Sequence, residues 1–249
     1  MLLGKRSLRF LLMVAIWGVA CARPVPPPEG VLRFDPSNFP RSVPGPMPRL
    51  GPFESRWDAL LAACPRVLSQ RGATAGRKDA MGFDVYWRVS TEYCAWVYYT
   101  PDHKYEMSML VESSKTIPPD DQGERRCEMP AFVDDPRYPQ HSLKYVYIVH
   151  NHAVFPTEIS EIDIAAVVRA ARIHGAFVET KEGRVPIGIV AFFSNTYNPT
   201  APTCDGFLEY SLGRRNEVVK WARDEQGQWH QARAGTVTWL DDARFRLER

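Results

Sequence analysis

Two histidines, a serine and an aspartate occur in this chain at a spacing that limits how it can fold. His150 and His152 are separated by one residue, and Ser160 and Asp163 follow within the next eleven. Residues at i and i+2 of a strand project from the same face, so both imidazoles would point to one place. An aspartate in the first turn of a following helix can reach the same point. Two imidazoles and one carboxylate are a sufficient ligand set for a catalytic zinc ion.

The segments that flank this motif have the patterns of a buried strand and an amphipathic helix. Residues 145–149 are continuously apolar or aromatic and run directly into His150. Residues 160–173 have apolar side chains at helical spacing and are followed by Gly175, a typical residue after a helix end. The sequence therefore predicts strand, loop and helix in the order that the ligands need.

The motif as a whole resembles that of the JAMM metalloproteases, also called MPN-plus or JAB domains, and is nearest to the RadC-like and bacterial toxin JAB branches. The resemblance extends over about residues 57 to 195. It implies that His150, His152 and Asp163 bind Zn²⁺ and that Ser160 helps to hold the tetrahedral oxyanion. It also implies a cytidine-deaminase-like fold.

An upstream glutamate is the predicted general base. Glu92 opens the segment Glu-Tyr-Cys-Ala, which is similar to the Glu-x-Cys-Gly strand entry of the JAMM family. Glu106 and Glu112 on the following segment are alternatives, because a general base must lie within one water of the reacting atom and sequence does not specify that distance.

The chain departs from the family pattern at two positions. Ala153 stands where the family usually has Pro, with Pro156 three residues later, and Ala95 replaces the Gly after the Cys. Neither change removes a ligand. Both changes affect the predicted shape of the substrate groove, so the resemblance does not establish that the substrates of the eukaryotic members apply to this chain.

The motif residues also have interpretations that need no metal. Ser160 and Asp163 have the spacing of a helix N-cap and its acidic N3 partner, and a helix dipole favours Asp163 there. His141, His174 and His230 lack a motif, and we expect them at the surface or in loops. A non-catalytic JAB-type scaffold or binding module, or a secreted JAB-type toxin or effector, is the alternative to an exported peptidase or isopeptidase.

The first 22 residues have the pattern of an export signal. Three basic residues precede a short apolar run over residues 10–19, which is too short to cross a membrane. Residues 18–21 resemble a lipobox that would lipidate Cys21, and residues 20–22 fit ordinary signal peptidase. We expect an exported protein, either anchored in a bacterial envelope by lipid on Cys21 or secreted in soluble form.

Four cysteines remain when Cys21 is set aside. Cys64, Cys94, Cys127 and Cys204 form an even set, which in an exported domain indicates two disulfides. Of the three connectivities we favour Cys64–Cys94 with Cys127–Cys204. Buried free thiols are the alternative.

The organisation predicted for the chain is a signal peptide over 1–22, a linker over 23–52 and one domain over 53–249. The linker prediction rests on dense prolines, which favour extended polyproline II structure. An alternative is that part of it lies along the domain, using Leu32 and Phe34 as apolar anchors together with Phe39.

The pattern over the domain predicts an α/β fold with a mixed, mainly antiparallel sheet and packed helices. We expect a helix over 57–70 interrupted or kinked at Pro65, a long polar loop over 113–142, and a hairpin around residues 224–227. Strands are predicted over 83–89, 92–99, 105–111 and 185–194.

The charge pattern limits the partners. The net charge is +2 and no long basic run occurs, so nothing favours nucleic-acid binding. The expected partner is a protein or peptide substrate, and the only expected membrane contact is a lipid anchor. The oligomeric state stays open.

Overall fold

The computed structural model describes residues 28–113, 128–213, 216–241 and 244–249. The predicted signal peptide with Cys21, and Cys127, lie outside these ranges. Within them, no helix is both long and apolar enough to cross a membrane. The helices are α1 (Arg56–Leu68), α2 (Phe83–Val89) and α3 (Glu161–His174). The strands are β1 (Val31–Arg33), β2 (Ser42–Pro44), β3 (Gly76–Arg77), β4 (Tyr93–Tyr99), β5 (Tyr105–Met107), β6 (Leu110–Glu112), β7 (Phe132–Asp134), β8 (Lys144–Asn151), β9 (Val154–Phe155), β10 (Phe177–Thr180), β11 (Gly183–Pro186), β12 (Gly188–Phe193), β13 (Gly206–Ser211), β14 (Glu217–Arg223), β15 (Trp229–Trp239) and β16 (Phe245–Glu248).

A ten-stranded sheet organises the domain, in the order β1-β6-β4-β8-β12-β13-β14-β15-β16 with β5 paired to β4. The pairs β1–β6 and β8–β12 are parallel, and the other neighbours are antiparallel. The predicted mixed, mainly antiparallel α/β architecture is confirmed.

The two faces of the sheet are covered by different helices. On β4, Tyr93, Ala95 and Val97 pack into the core that contains α1, and Cys94 and Trp96 pack into the core that contains α3. This division follows from the two-residue period of a strand. The strands that hold the motif are therefore buried on both sides.

Residues 28–52 belong to the domain, so the predicted linker ends earlier than residue 52. β1 extends the main sheet beside β6, and β2 pairs with β7. Val43 and Met47 are almost fully buried. Proline can occupy sheet edges where no backbone N–H is needed, and Pro44 ends the edge strand β2. The alternative in which this segment lies along the domain is the correct one for the residues described.

Three predicted strands differ in the structure. The strand predicted over 185–194 is divided at Ile187 into the end of β11, which pairs with β10, and β12, which pairs with β8 and β13. Residues 83–89 form α2, because Phe83 and Trp87 are i,i+4 neighbours that stack at 6.4 Å, a contact that helical spacing provides. The predicted strand over 105–111 is divided into β5 and β6. The division occurs at Ser108, whose hydroxyl accepts a hydrogen bond from the backbone N–H of Trp96.

The predicted disulfide pairing is wrong. Cys64 on α1 is bonded to Cys204 in the loop between β12 and β13, with their Cα atoms 5.8 Å apart. Cys94 is also disulfide-bonded, and it points to the face of the sheet opposite Cys64. A bond between those two residues would have to pass through the sheet, and spacing along the chain gives no sign of that obstacle.

Candidate metal centre

The sheet fixes the backbone of both motif histidines. His150 is the second-last residue of β8 and lies between Cys94 of β4 and Ala191 of β12. The backbone N–H of His152 continues this pairing by donating to Phe192 O at 2.9 Å. Because the two histidines are two residues apart on this extended backbone, their side chains lie on one face.

Asn151 anchors the strand end from the opposite face. Its side-chain NH₂ donates to Ala73 O at 2.6 Å and to Thr91 O at 3.1 Å, and its oxygen accepts from the Tyr93 N–H at 2.7 Å. Asn151 is fully buried. The sequence analysis gave no role to Asn151, although an amide side chain between two candidate ligands is visible in the motif.

Helix α3 presents Asp163 through a capping box. The Ser160 hydroxyl accepts from the Asp163 N–H at 3.2 Å, while Asp163 Oδ2 accepts from the Ser160 N–H at 2.9 Å. The Ser160 hydroxyl also donates to the same Oδ2 at 2.8 Å. These bonds fix the carboxylate in one orientation at the helix N-terminus.

The three ligand candidates converge. His150 Nε2 lies 3.0 Å from His152 Nε2 and 3.2 Å from Asp163 Oδ1, and His152 Nε2 lies 3.4 Å from Asp163 Oδ2. Ligand atoms about 2.0–2.1 Å from a tetrahedral zinc ion are separated by about 3.3 Å. Among the residues described, this is the group whose nitrogen and carboxylate atoms could hold a metal ion, and its spacing is compatible with a tetrahedral site.

The second nitrogens of the two imidazoles have different surroundings. His152 Nδ1 lies 2.5 Å from the Thr157 hydroxyl, so the loop before α3 orients this ring. His150 Nδ1 is buried and has no hydrogen-bond partner among the residues that the structure covers. When Nδ1–H donates to the Thr157 hydroxyl, the lone pair of Nε2 is left for a metal, which gives Thr157 a positioning role that sequence reasoning missed.

Charge favours an ionised carboxylate at the centre. Burial raises the pKa of Asp163, but the nearby charge of His150 and hydrogen bonds from His150 and His152 outweigh it and hold the pKa well below its usual range. Asp163 is thus an anion at neutral pH, the state in which a carboxylate binds a cation.

Glu92 lines the same cleft as the three ligand candidates. It directly precedes β4, is only 8% exposed, and has the same parity along the strand as Cys94, which is paired with His150. The side chain of Glu92 therefore belongs to the face that carries the centre.

The two alternative glutamates lie elsewhere. Glu106 accepts a hydrogen bond from Arg137 at 2.9 Å, and Glu112 pairs with Arg33. Neither of them lines the cleft as far as its lining is described. Of the three glutamates considered from sequence, Glu92 is the one that shares the cleft with the histidines.

His174 departs from its prediction as a surface or loop residue. It is the last residue of α3 and is half-buried, with its ring stacked on Tyr145 at 3.8 Å. Its Nε2 lies 2.8 Å from Ala131 O, and burial lowers its pKa. His141 and His230 are exposed as expected.

The cleft is a cavity of about 1160 Å³ with Glu92, His150, His152, Ser160 and Asp163 on its lining. These residues come from the start of β4, the end of β8 and the start of α3, so the sheet and one helix are enough to build the centre. No family model, curated protein or solved structure compared with this chain matches it.

Proposed function

We propose that this protein is an exported, zinc-dependent peptidase or isopeptidase of JAMM type with a cytidine-deaminase-like JAB fold. One observation carries the proposal: two imidazoles and a carboxylate converge within 4.8 Å in a cleft that also contains a buried glutamate. This is the ligand set of a catalytic zinc site that keeps one position open. The order of strand, loop and capped helix supports the same family.

Each motif residue has a role in this proposal. His150, His152 and Asp163 would hold the zinc ion, which when bound supplies a Lewis acid and lowers the pKa of water. Glu92 takes a proton from the attacking water and delivers it to the leaving amine. The Ser160 hydroxyl, which donates to Asp163 Oδ2 in this structure, would turn its O–H toward the oxygen that becomes negatively charged.

Export is part of the proposal. It is supported by the pattern of residues 1–22 and by the Cys64–Cys204 disulfide, because disulfides persist mainly in oxidising compartments. Lipid on Cys21 would then be the only membrane contact, and the substrate would be a protein or peptide outside the cytoplasm. Mass spectrometry of the mature N-terminus distinguishes a lipidated Cys21 from a chain that begins at Arg23.

The test combines metal content with turnover. Purified protein should contain about one zinc ion per chain, lose it in His150→Ala and His152→Ala, and keep it in the control His141→Ala, whose side chain is exposed. Glu92→Gln should retain zinc and lower peptide hydrolysis by about two to four orders of magnitude. Zinc binding without hydrolysis of any peptide would favour the scaffold alternative. Zinc retained when both histidines are replaced would show that they are not the zinc ligands.

A further inference from the structure

The cleft continues along α3 beyond the candidate metal centre. One side of the helix lines it, through Ile162, Ala165, Ala166, Arg169, Ala170 and Ile173. From the first to the last of these residues the helix rises by about 16 Å. That length matches about five residues of extended polypeptide. Ala165 and Ala166 are partly exposed, and their short side chains leave room for a peptide backbone beside the helix.

Another part of the lining is aromatic. Phe83 and Trp87 of α2 are both half-buried, line the cleft and stack on each other with ring planes 9° apart. Rings that are partly covered by the protein can still bury apolar surface of a ligand. This part of the cleft therefore suits apolar side chains of a bound peptide.

The charged residues that line the cleft include a cation on α3 without an ion-pair partner among the described residues. Arg249 is paired with Glu158 at 2.8 Å, whereas Lys78, which precedes α2, and Arg169, on α3, are exposed and form no ion pair with any residue that the structure describes. Glu128 is the remaining carboxylate of the lining besides Glu158 and the two acidic residues of the candidate centre. Arg169 is thus available to an anionic ligand.

The position of Arg169 sets a distance from the reacting bond. Arg169 lies six positions after Asp163, which corresponds to about 9 Å along the helix. An extended chain covers that distance in about three residues, and the length of an arginine side chain adds about one residue in either direction. A guanidinium binds a carboxylate through two parallel hydrogen bonds.

We propose that the cleft binds an extended peptide with a carboxylate two to four residues from the cleaved bond, and that Arg169 recognises this carboxylate. The proposal rests on the peptidase function above and specifies its substrate class. The carboxylate can be an Asp or Glu side chain or the free C-terminus of the substrate. Apolar residues of the same peptide would contact Phe83 and Trp87.

Binding to the Glu92→Gln variant tests this without turnover. Fluorescein-labelled peptides are compared by anisotropy: a neutral amidated peptide, amidated peptides with one Asp at successive positions, a neutral peptide with a free C-terminus, and a lysine peptide. The acidic set should bind about tenfold more tightly than the neutral one, as expected for a charged hydrogen bond. The Asp and free C-terminus arms show which source of carboxylate is used.

Substitutions on α3 test whether Arg169 causes the preference for acidic peptides. In the Glu92→Gln background, Arg169→Gln should abolish the preference and Arg169→Glu should reverse it. Arg172→Glu makes the same charge change on the same helix outside the cleft and should leave the preference intact. Equal binding of neutral and acidic peptides, preference for the lysine peptide, or a preference that survives Arg169→Glu would overturn the proposal.

Failure of the peptidase function would look different. In that case the enzyme with Glu92 intact and zinc bound would cleave none of the peptides, whatever their charge. Cleavage that is equally fast for neutral and acidic peptides would instead leave the peptidase in place and refute the role of Arg169. Mass spectrometry of the products gives the distance between the acidic residue and the cleaved bond.

Discussion

At the scale of single residues, Asp163 combines two roles that sequence presents as alternatives. Its Oδ2 closes the capping box with Ser160, while its Oδ1 lies 3.2 Å from His150 Nε2. A carboxylate has two oxygens, so a cap and a metal ligand do not compete for the same atom. The cap holds the ligand oxygen in place, so metal binding would cost less conformational entropy of the Asp163 side chain.

The first prediction separates capping from metal binding. Ser160→Ala and Ser55→Ala each remove an N-cap hydroxyl, that of α3 and that of α1. Both should lower the free energy of unfolding by about 1 kcal/mol, measured by urea titration. Only Ser160→Ala should weaken zinc binding, by about 10- to 100-fold, because only Ser160 orients a ligand.

Zinc competition against a chromophoric chelator measures this difference. Equal zinc affinities for the two variants would show that the Ser160 hydroxyl contributes to the helix alone. A loss of zinc in Ser55→Ala would show that general destabilisation, and not ligand orientation, controls the affinity.

At the scale of elements, helices α1 and α3 lie on opposite faces of one sheet and have different roles. α1 packs its apolar side on one core and is joined to the loop after β12 through Cys64 and Cys204. α3 covers the other core and presents the candidate ligand. The disulfide and the candidate metal centre thus lie on opposite faces of the sheet.

A second prediction follows from this separation. Replacing Cys64 and Cys204 together by Ala should cost about 2–5 kcal/mol of unfolding free energy, as for other native disulfides. Zinc content and affinity should stay unchanged at 25 °C, since the bond lies on the face away from the centre. Zinc lost from the variant while circular dichroism still reports a folded protein would show that the two faces are coupled.

At the scale of the whole molecule, a bound metal would link the strand end of β8 to the start of α3. His150 lies in β8, His152 directly follows that strand and Asp163 lies in α3, and residues 152–160, which include β9, connect the two elements. A ligand that binds the folded state alone stabilises it in proportion to the logarithm of its concentration over its dissociation constant.

The third prediction is therefore a zinc-dependent stability. Free zinc at a hundred times its dissociation constant should raise the free energy of unfolding by about 2.7 kcal/mol over that in a chelator. The His150→Ala variant should unfold at the same urea concentration with and without zinc. An unfolding midpoint that does not respond to zinc in the unsubstituted protein would argue against a metal centre.

Local patterns predicted the elements that hold the motif. The apolar run into His150 became β8, and the amphipathic segment from Ser160 to Gly175 became α3 with its predicted cap. Both patterns are decided by contacts within a few residues, so they can be seen in sequence. Phe83–Val89 shows the limit, because its alternation fits a strand while its i,i+4 aromatic pair fits a helix.

The sequence by itself determined which residue types stand at ligand spacing, and that a strand and a capped helix would carry them. Only the tertiary structure decided that Cys64 bonds Cys204, that residues 28–52 belong to the domain, and that Glu92 rather than Glu106 or Glu112 shares the cleft. Each of these depends on which face of the sheet a residue occupies and which distant segment pairs with it. Pairing between distant strands is set by the packing of the whole core, and no period along the chain encodes it.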